Sequence, residues 1–547
     1  MCFLSDNRLN GLDGRSVTFS FDPRGNDLNT ARLMRAVILA VFLGEWLSVA
    51  TFGAGKAEHV VVVVWDGMRP DFIAERDTPT LFRLAREGVL FRNHHPVYLS
   101  ATEVNGTAIA TGSYPAHSGL MANKEYRPAI NPLVPVGTES LEAVRGGDRL
   151  TKGHYLNLAT IAEILHDAGQ TTAIAGTKPV ALLHDRRERD ANYRLGQVLY
   201  YDKTLPTNVW TGLVKELGPY PAYAQPNTGR DEWTTRALIG PFWKDGVPKF
   251  SLLWLSEPDY SQHGTGVGSN TARAALKSSD DNLARVLAEL DRRGARDKTD
   301  LLVVSDHGFS TVNGLTDVAQ VLTNAGFKAA REFKKPPGND EILVVSNGGA
   351  TLLYVIGHDP RLIQRVADFL QTQDFTGVLL TRKPVPGSFT LDQAFINTPS
   401  APDVVIALRW AADQNTNGAP GLVFCDGAGH KAGEGMHVTL SRFDMHNTLV
   451  SAGPDFRRGM VNELPSGNVD LAPTILWILG ITPPRPMDGR VLSEALTIDG
   501  PRVGTPTTTQ LEAKNPHATF TWYQYLKRTH LDGVVYLDEG NGGAVPK

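Results

Sequence analysis

HVVVVVWD (59–66) decides the fold: five consecutive valines, then Trp65, then an acid. No polar residue alternates with the valines, so neither face of this strand is expected to meet water. That is the pattern of a central strand in a sheet covered on both sides. KFSLLWLSEPD (249–259) and DLLVVSDHG (300–308) repeat it. Between such runs lie helical patterns: PTLFRLAREG (79–88), LNLATIAEILHDAG (156–169) and SNTARAALKSSDDNLARVLAELDRRG (269–294). The second of these leads into a further strand, TTAIAG (171–176). Strands alternating with helices predict an α/β fold, a doubly wound, mostly parallel sheet flanked by helices.

A chain of 547 residues is long for one core; length alone suggests roughly three to four units, or one large domain with insertions. Residues 58–309 read as the first part of an α/β core. From 310 to 430 the rhythm is broken by PPGND, SNGGA, PVPG and NTNGAPG, so an inserted cap subdomain is expected there. The core resumes over 431–497 with MHNTLVSAGP (445–454) and LAPTILWILG (471–480). Residues 498–547 form an extension in which FTWYQYLKRTHLDGVVYLDEG (520–540) predicts a hairpin.

Residues 1–57 read as a leader and signal peptide. Arg32 and Arg35 precede an apolar run, Ala36 to Phe52, and small residues follow at Gly55 and Ala57. The signal proper is expected at about 34–57, with Met34 as an alternative start, which implies a periplasmic or secreted protein. Glu45 interrupts the run, so no stable membrane span is expected. Cleavage would leave Cys425 as the single cysteine, which excludes an intramolecular disulfide. A net charge of -4 provides no basic footprint for duplex nucleic acid.

In doubly wound sheets, ligands bind beyond the carboxyl ends of the strands. Three strands here end in acids: Asp66, Asp259, and Asp306 with His307 beside it. Each alone could be a turn or a helix cap. Together, three carboxylates meeting at one sheet edge would repel one another unless cations lay between them. His263, four residues after Asp259, can converge with it on a helical turn. Histidine with carboxylate oxygen suits zinc.

SATEVNGTAIATGSYPAHSGL (100–120) holds a threonine, Thr102, with no base at a workable offset. A bound metal ion would activate its hydroxyl without one. Asn105, one helical turn on, is then placed to hydrogen-bond an oxygen of a transferring group.

These stretches resemble the type I phosphodiesterase/nucleotide pyrophosphatase family of the alkaline phosphatase superfamily. The resemblance rests on Asp66-Gly67, PVYLSATEVNGTAIATGSYPAHSGL, DYSQH, SDHG, GMHVTLSRFDMHNTLVSAGPDFRRG and NVDLAPTILWILGITPPRPMDGRVL, in that order over about 59–497. It implies two zinc ions, or other divalent metals. One would be held by Asp66, Thr102, Asp306 and His307, the other by Asp259, His263 and His437, with His430 and His446 as rivals for the last place. Thr102 would be the nucleophile and would pass through a covalent phospho-threonine. The implied substrate is a nucleotide-like phosphodiester or pyrophosphate. Lys178 and Arg186 resemble a phosphate-binding pair of superfamily monoesterases, although here they are eight residues apart. The chain departs from the family at Glu103-Val104-Asn105-Gly106, where Phe-Pro-Asn-His is frequent, at Val438, where glycine is usual, and at the bulky Trp65. The alternatives are a phosphomonoesterase or phosphonate hydrolase with the same metals, or a non-catalytic exported binding protein.

Overall fold

The computed structural model describes residues 55–427 and 429–547; the signal expected at 34–57 lies almost wholly outside them. A nine-stranded sheet runs through the centre. In chain order its strands are β1 (His59–Trp65), β2 (Val89–His95), β3 (Thr172–Gly176), β4 (Gly196–Tyr200), β5 (Lys203–Leu205), β6 (Phe250–Leu255), β7 (Thr299–Val304), β8 (Leu449–Ala452) and β9 (Met460–Gly467). They lie side by side in the order β9-β2-β8-β7-β1-β6-β3-β4-β5. The strands β7, β1, β6, β3 and β4 are mutually parallel. Only β8 and the edge strand β5 run against the rest.

The valine run explains the layering. Branching at Cβ suits the pleated backbone, and Val60 to Val64 are all 0% exposed. Successive side chains point to opposite faces. Val60, Val62 and Val64 therefore join one hydrophobic core, while Val61, Val63 and Trp65 join the other. Burying each valine contributes roughly 1.5–3 kcal/mol. The long helix Asn270–Arg292 covers the second core with Leu276, Leu283, Val286 and Leu290. The helix expected from residue 156 begins only at Ile161, because Thr160 caps it and exchanges hydrogen bonds with Glu163.

Register then places the site. Trp65 pairs with Leu255, and Val64 pairs with Val304. The chain leaves all three strands at one sheet edge, within a residue or a few of Asp66, Asp259 and Asp306. Two helices stand there: α1 (Thr102–Thr111) and α2 (Asp259–Thr265).

Within 310–430 the structure is more regular than the glycine- and proline-rich sequence suggests. Six strands between Lys328 and Leu408 make a second sheet with its own hydrophobic core. Ser310–Thr316 pairs with Pro420–Asp426 and also with Gly435–Met436, which sets the backbone just before His437. The expected C-terminal hairpin has Asp532 and Gly533 at its tip, both at positive φ as a tight two-residue turn requires. A strand not foreseen, Thr507–Pro516, makes it a three-stranded sheet. No helix among the described residues is long and apolar enough to cross a membrane.

Gly308 follows the last acid–histidine pair with no room for a side chain. A Cβ there would collide with the carbonyl oxygens of Phe443 and His446. Gly308→Ala is expected to lower the unfolding free energy by about 3 kcal/mol, read from denaturant midpoints at constant slope.

Candidate metal centre and nucleophile

Because β7, β1 and β6 are neighbours, their terminal acids become neighbours too. Asp66, Asp259 and Asp306 are each no more than 1% exposed. Asp66 accepts a hydrogen bond from the Trp254 indole (2.7 Å) through one oxygen. Asp306 accepts from the backbone N–H groups of Gly67 and His307, both at 3.0 Å. Yet Asp66 Oδ1, Asp259 Oδ1 and Asp306 Oδ2 are buried without any hydrogen-bond partner. Three orphaned carboxylate oxygens in one buried cluster are costly unless cations bind there.

One cation is present in the chain itself. Lys178, at the carboxyl end of β3, places its Nζ 2.9 Å from Asp66 Oδ2 and 2.9 Å from Asp259 Oδ2. It also donates to Thr102 Oγ1 at 3.4 Å. A single ammonium does not neutralise this much negative charge. Burial and then Asp306 push Asp66 well above the usual carboxyl range. Burial also acts to raise Asp259, but Lys178 and His263 outweigh it and hold that group well below the usual range.

The histidines are oriented alike. His263 Nδ1 lies 3.0 Å from the Gly435 carbonyl, His307 Nδ1 2.9 Å from that of Gly308, and His437 Nδ1 2.8 Å from that of Ser100. A ring that donates from Nδ1 to a carbonyl keeps Nε2 as a free lone pair. Each Nε2 faces the acids: His263 and His437 lie 3.3 and 3.8 Å from Asp259 Oδ1, and His307 lies 3.3 Å from Asp306 Oδ2. The His307 and His437 rings stack with centroids 3.7 Å apart. Burial and the neighbouring His307 push His437 well below its ordinary pKa, so it is neutral, as a metal ligand must be.

Ligand atoms of Asp259, His263 and His437 lie within 4.8 Å of one another, as do those of Asp66, Asp259 and His307. Asp259 thus stands between the two groups, where the family resemblance assigns it to one. The residues fit divalent metal on their donor chemistry and on their orphaned oxygens. Thr102, at the first position of α1, puts Oγ1 3.3 Å from His307 Nε2. His446 bonds the Arg92 carbonyl instead, and His430 lies near Glu434; neither joins the cluster.

Two expected residues are not brought to the site. Asn105 is 0% exposed and turned into the loop before α1. Its oxygen accepts from Val97 N–H and its amide donates to the Val97, Leu99 and Ala101 carbonyls. One turn along a helix also means facing the loop that enters it. Arg186 is carried away by the helical turn Ala181–His184 and is held by Glu163 and the Gly153 carbonyl. Three residues that sequence reading passed over do contribute. Trp254 orients Asp66, and Asn468 bridges Asn105 and the Asp306 carbonyl. Asn123 accepts the Glu103 N–H, which sets a side-chain amide beside Thr102. None belongs to a periodic pattern. Val438, where the family resemblance leads one to expect glycine, has φ +78, a strained conformation for a β-branched residue. Glycine is suited there by its backbone freedom.

The type I phosphodiesterase/nucleotide pyrophosphatase family model matches residues 60–432, more than half of the chain. The chain belongs to that family. It is therefore a hydrolase of the phosphodiesterase/nucleotide pyrophosphatase kind. It is 21% identical over 435 residues to mouse bis(5'-adenosyl)-triphosphatase enpp4, covering 78% of this chain and 79% of that one. It is 21% identical to human ectonucleotide pyrophosphatase/phosphodiesterase family member 7, but over 51% of this chain and 54% of the relative. The fold is similar to that of an inactive variant of mouse ectonucleotide pyrophosphatase/phosphodiesterase 5 in complex with AMP. That match has a TM-score of 0.58 at 16% identity and covers 80% of this chain and 100% of the other.

Asn105→Ala is expected to lower the unfolding free energy by about 3 kcal/mol, since several buried backbone groups lose their partner. Lost hydrolysis at an unchanged unfolding midpoint would instead restore a direct contact with substrate.

Proposed function

We propose that this protein hydrolyses phosphodiester or pyrophosphate bonds of nucleotide-like small molecules, with two zinc ions and a covalent phospho-threonine on Thr102. The observation that carries the reading is the set of three orphaned carboxylate oxygens facing three imidazoles around one threonine hydroxyl. Asp66, Asp306, His307 and Thr102 would hold one metal, and Asp259, His263 and His437 the other. Bound there, the metals supply Lewis-acid stabilisation of phosphoryl oxygens and acidify the threonine hydroxyl.

The chain's own residues do the rest. Thr102 Oγ attacks phosphorus in line, the P–O bond to the leaving alcohol or phosphate breaks, and water then cleaves the phospho-threonine. Burial at the N-terminus of α1 holds Oγ in place before substrate arrives. Lys178, 3.4 Å from that oxygen, offers a positive charge to the phosphoryl group. The same lysine favours a second reading, a phosphomonoesterase, because a dianionic monoester gains more from it than a monoanionic diester. The apolar run and flanking arginines near residue 34 support export to the periplasm or outside the cell.

Two measurements test the proposal. Metal analysis of the purified protein is expected to give two zinc ions per chain, with hydrolysis lost on chelation and regained with zinc. Thr102→Ala is expected to lower kcat on bis-p-nitrophenyl phosphate about 10³-fold or more with metal retained. Unchanged hydrolysis in that variant, or no bound metal, overturns the mechanism. A strong preference for p-nitrophenyl phosphate over the diester would select the monoesterase reading.

A further inference from the structure

A cavity of about 620 Å³ opens beside the edge strand β9, and neither Thr102 nor any of the metal-competent residues lines it. Its walls come from the helix Pro79–Glu87, from β2 and β9, and from the loops that carry Arg69 and Arg442. Ile73, Ala85, Leu90 and Val461 give it an apolar floor, and Val461 is left 44% exposed. Four arginines line the same space, Arg69, Arg86, Arg92 and Arg442, against a single acid, Asp71. That acid is already bound by Arg69 through two hydrogen bonds, 2.9 and 2.6 Å long. The remaining Arg69 donor group serves the Phe309 and Pro420 carbonyls, so this arginine builds the wall. Arg92 and Arg442 pair with Glu463 and Glu539, but both arginines are more than half exposed, and ion pairs open to water hold little energy. Arg86 is exposed and has no ion-pair partner among the described residues; its guanidinium lies 5.9 Å from the centre of the Phe82 ring. His446 adds no charge at neutral pH, because burial and then His95 hold it below its ordinary pKa.

We propose that this cavity binds an amphiphilic carboxylate, an unbranched hydrocarbon chain whose head group pairs with Arg86 at the rim. The volume is that of a small-molecule site, and an apolar floor with a few polar groups around it is the usual construction of one. The floor takes the chain out of water, while the excess of positive charge selects an anion and repels a cation. A planar guanidinium receives a carboxylate through two parallel hydrogen bonds. One face of the Phe82 ring is covered by Arg86 and one face of Phe443 by Arg69 (5.0 Å), so a flat ring system has less to stack on than a flexible chain has to pack against. The site goes beyond the proposed hydrolysis, since a free carboxylate has no phosphoryl group to transfer.

The test is calorimetric titration of the full chain with sodium decanoate below its micelle concentration, with decyltrimethylammonium as a cation of the same chain length. Decanoate is expected to bind saturably at one site per chain, about tenfold or more tighter than the cation. Arg86→Ala should weaken decanoate about tenfold and leave the cation unchanged or slightly tighter. Val461→Glu, which puts an acid on an exposed edge-strand position of the lining, should weaken it in the same direction and guards against misfolding of the first variant. No saturable decanoate binding, equal binding of the two amphiphiles, or a decanoate affinity unmoved in both variants would overturn the site. Binding to anionic phospholipid vesicles without binding of monomeric decanoate would also overturn it, because the cavity would then serve a membrane surface.

Discussion

Mutual repulsion among Asp66, Asp259 and Asp306 is the constraint around which the rest of this molecule is arranged. Each acid ends one of three adjacent parallel strands, so the sheet order that buries the valines also crowds the carboxylates. An isolated pair of such groups would be expelled to water or protonated. Here the hydrophobic layers on both faces of the sheet hold them in place, and Lys178 relieves only part of the charge. The remaining imbalance is what makes the cluster a candidate cation site.

The surrounding structure orients ligands more than it shields them. Three histidines from three different segments each turn Nδ1 to a backbone carbonyl and leave Nε2 for the cluster. The carbonyls belong to Ser100, Gly308 and Gly435, so the loop before α1, the loop after β7 and the short strand Gly435–Met436, which pairs with Ser310–Thr316, all take part. Asn468 adds a lateral tie between the helix that carries Thr102 and the strand that carries Asp306. Such a frame fixes the positions of the donors before any ligand binds, which is the condition for catalysis by prior organisation.

Legibility in the sequence followed the range of the interaction. The strand-end acids and Asp306-His307 stand out because an apolar run of period-free residues announces the strand, and its last residue announces the edge. His263 was legible from its four-residue offset to Asp259 within one helix. Asn105 was misplaced because helical spacing gives a distance from Thr102 and not a direction. Its amide serves the loop it faces. Arg186 failed for a related reason: the intervening helical turn redirects the chain toward Glu163. Trp254, Asn123 and Asn468 act through individual side-chain hydrogen bonds to residues outside their own elements, which leave no periodic trace. The second sheet within 310–430 was hidden by its glycine- and proline-rich connections, although its strands are as apolar as those of the core.

By itself the sequence determined the α/β class, the three acid-tipped strands and the threonine awaiting an activator, because these follow from local hydrophobic pattern and residue chemistry. Only the tertiary structure decided that the three strands are neighbours and that Lys178 lies between Asp66 and Asp259. Strand order and the meeting of distant loops depend on how separate hydrophobic faces pack together, and no short-range pattern in the chain encodes that packing.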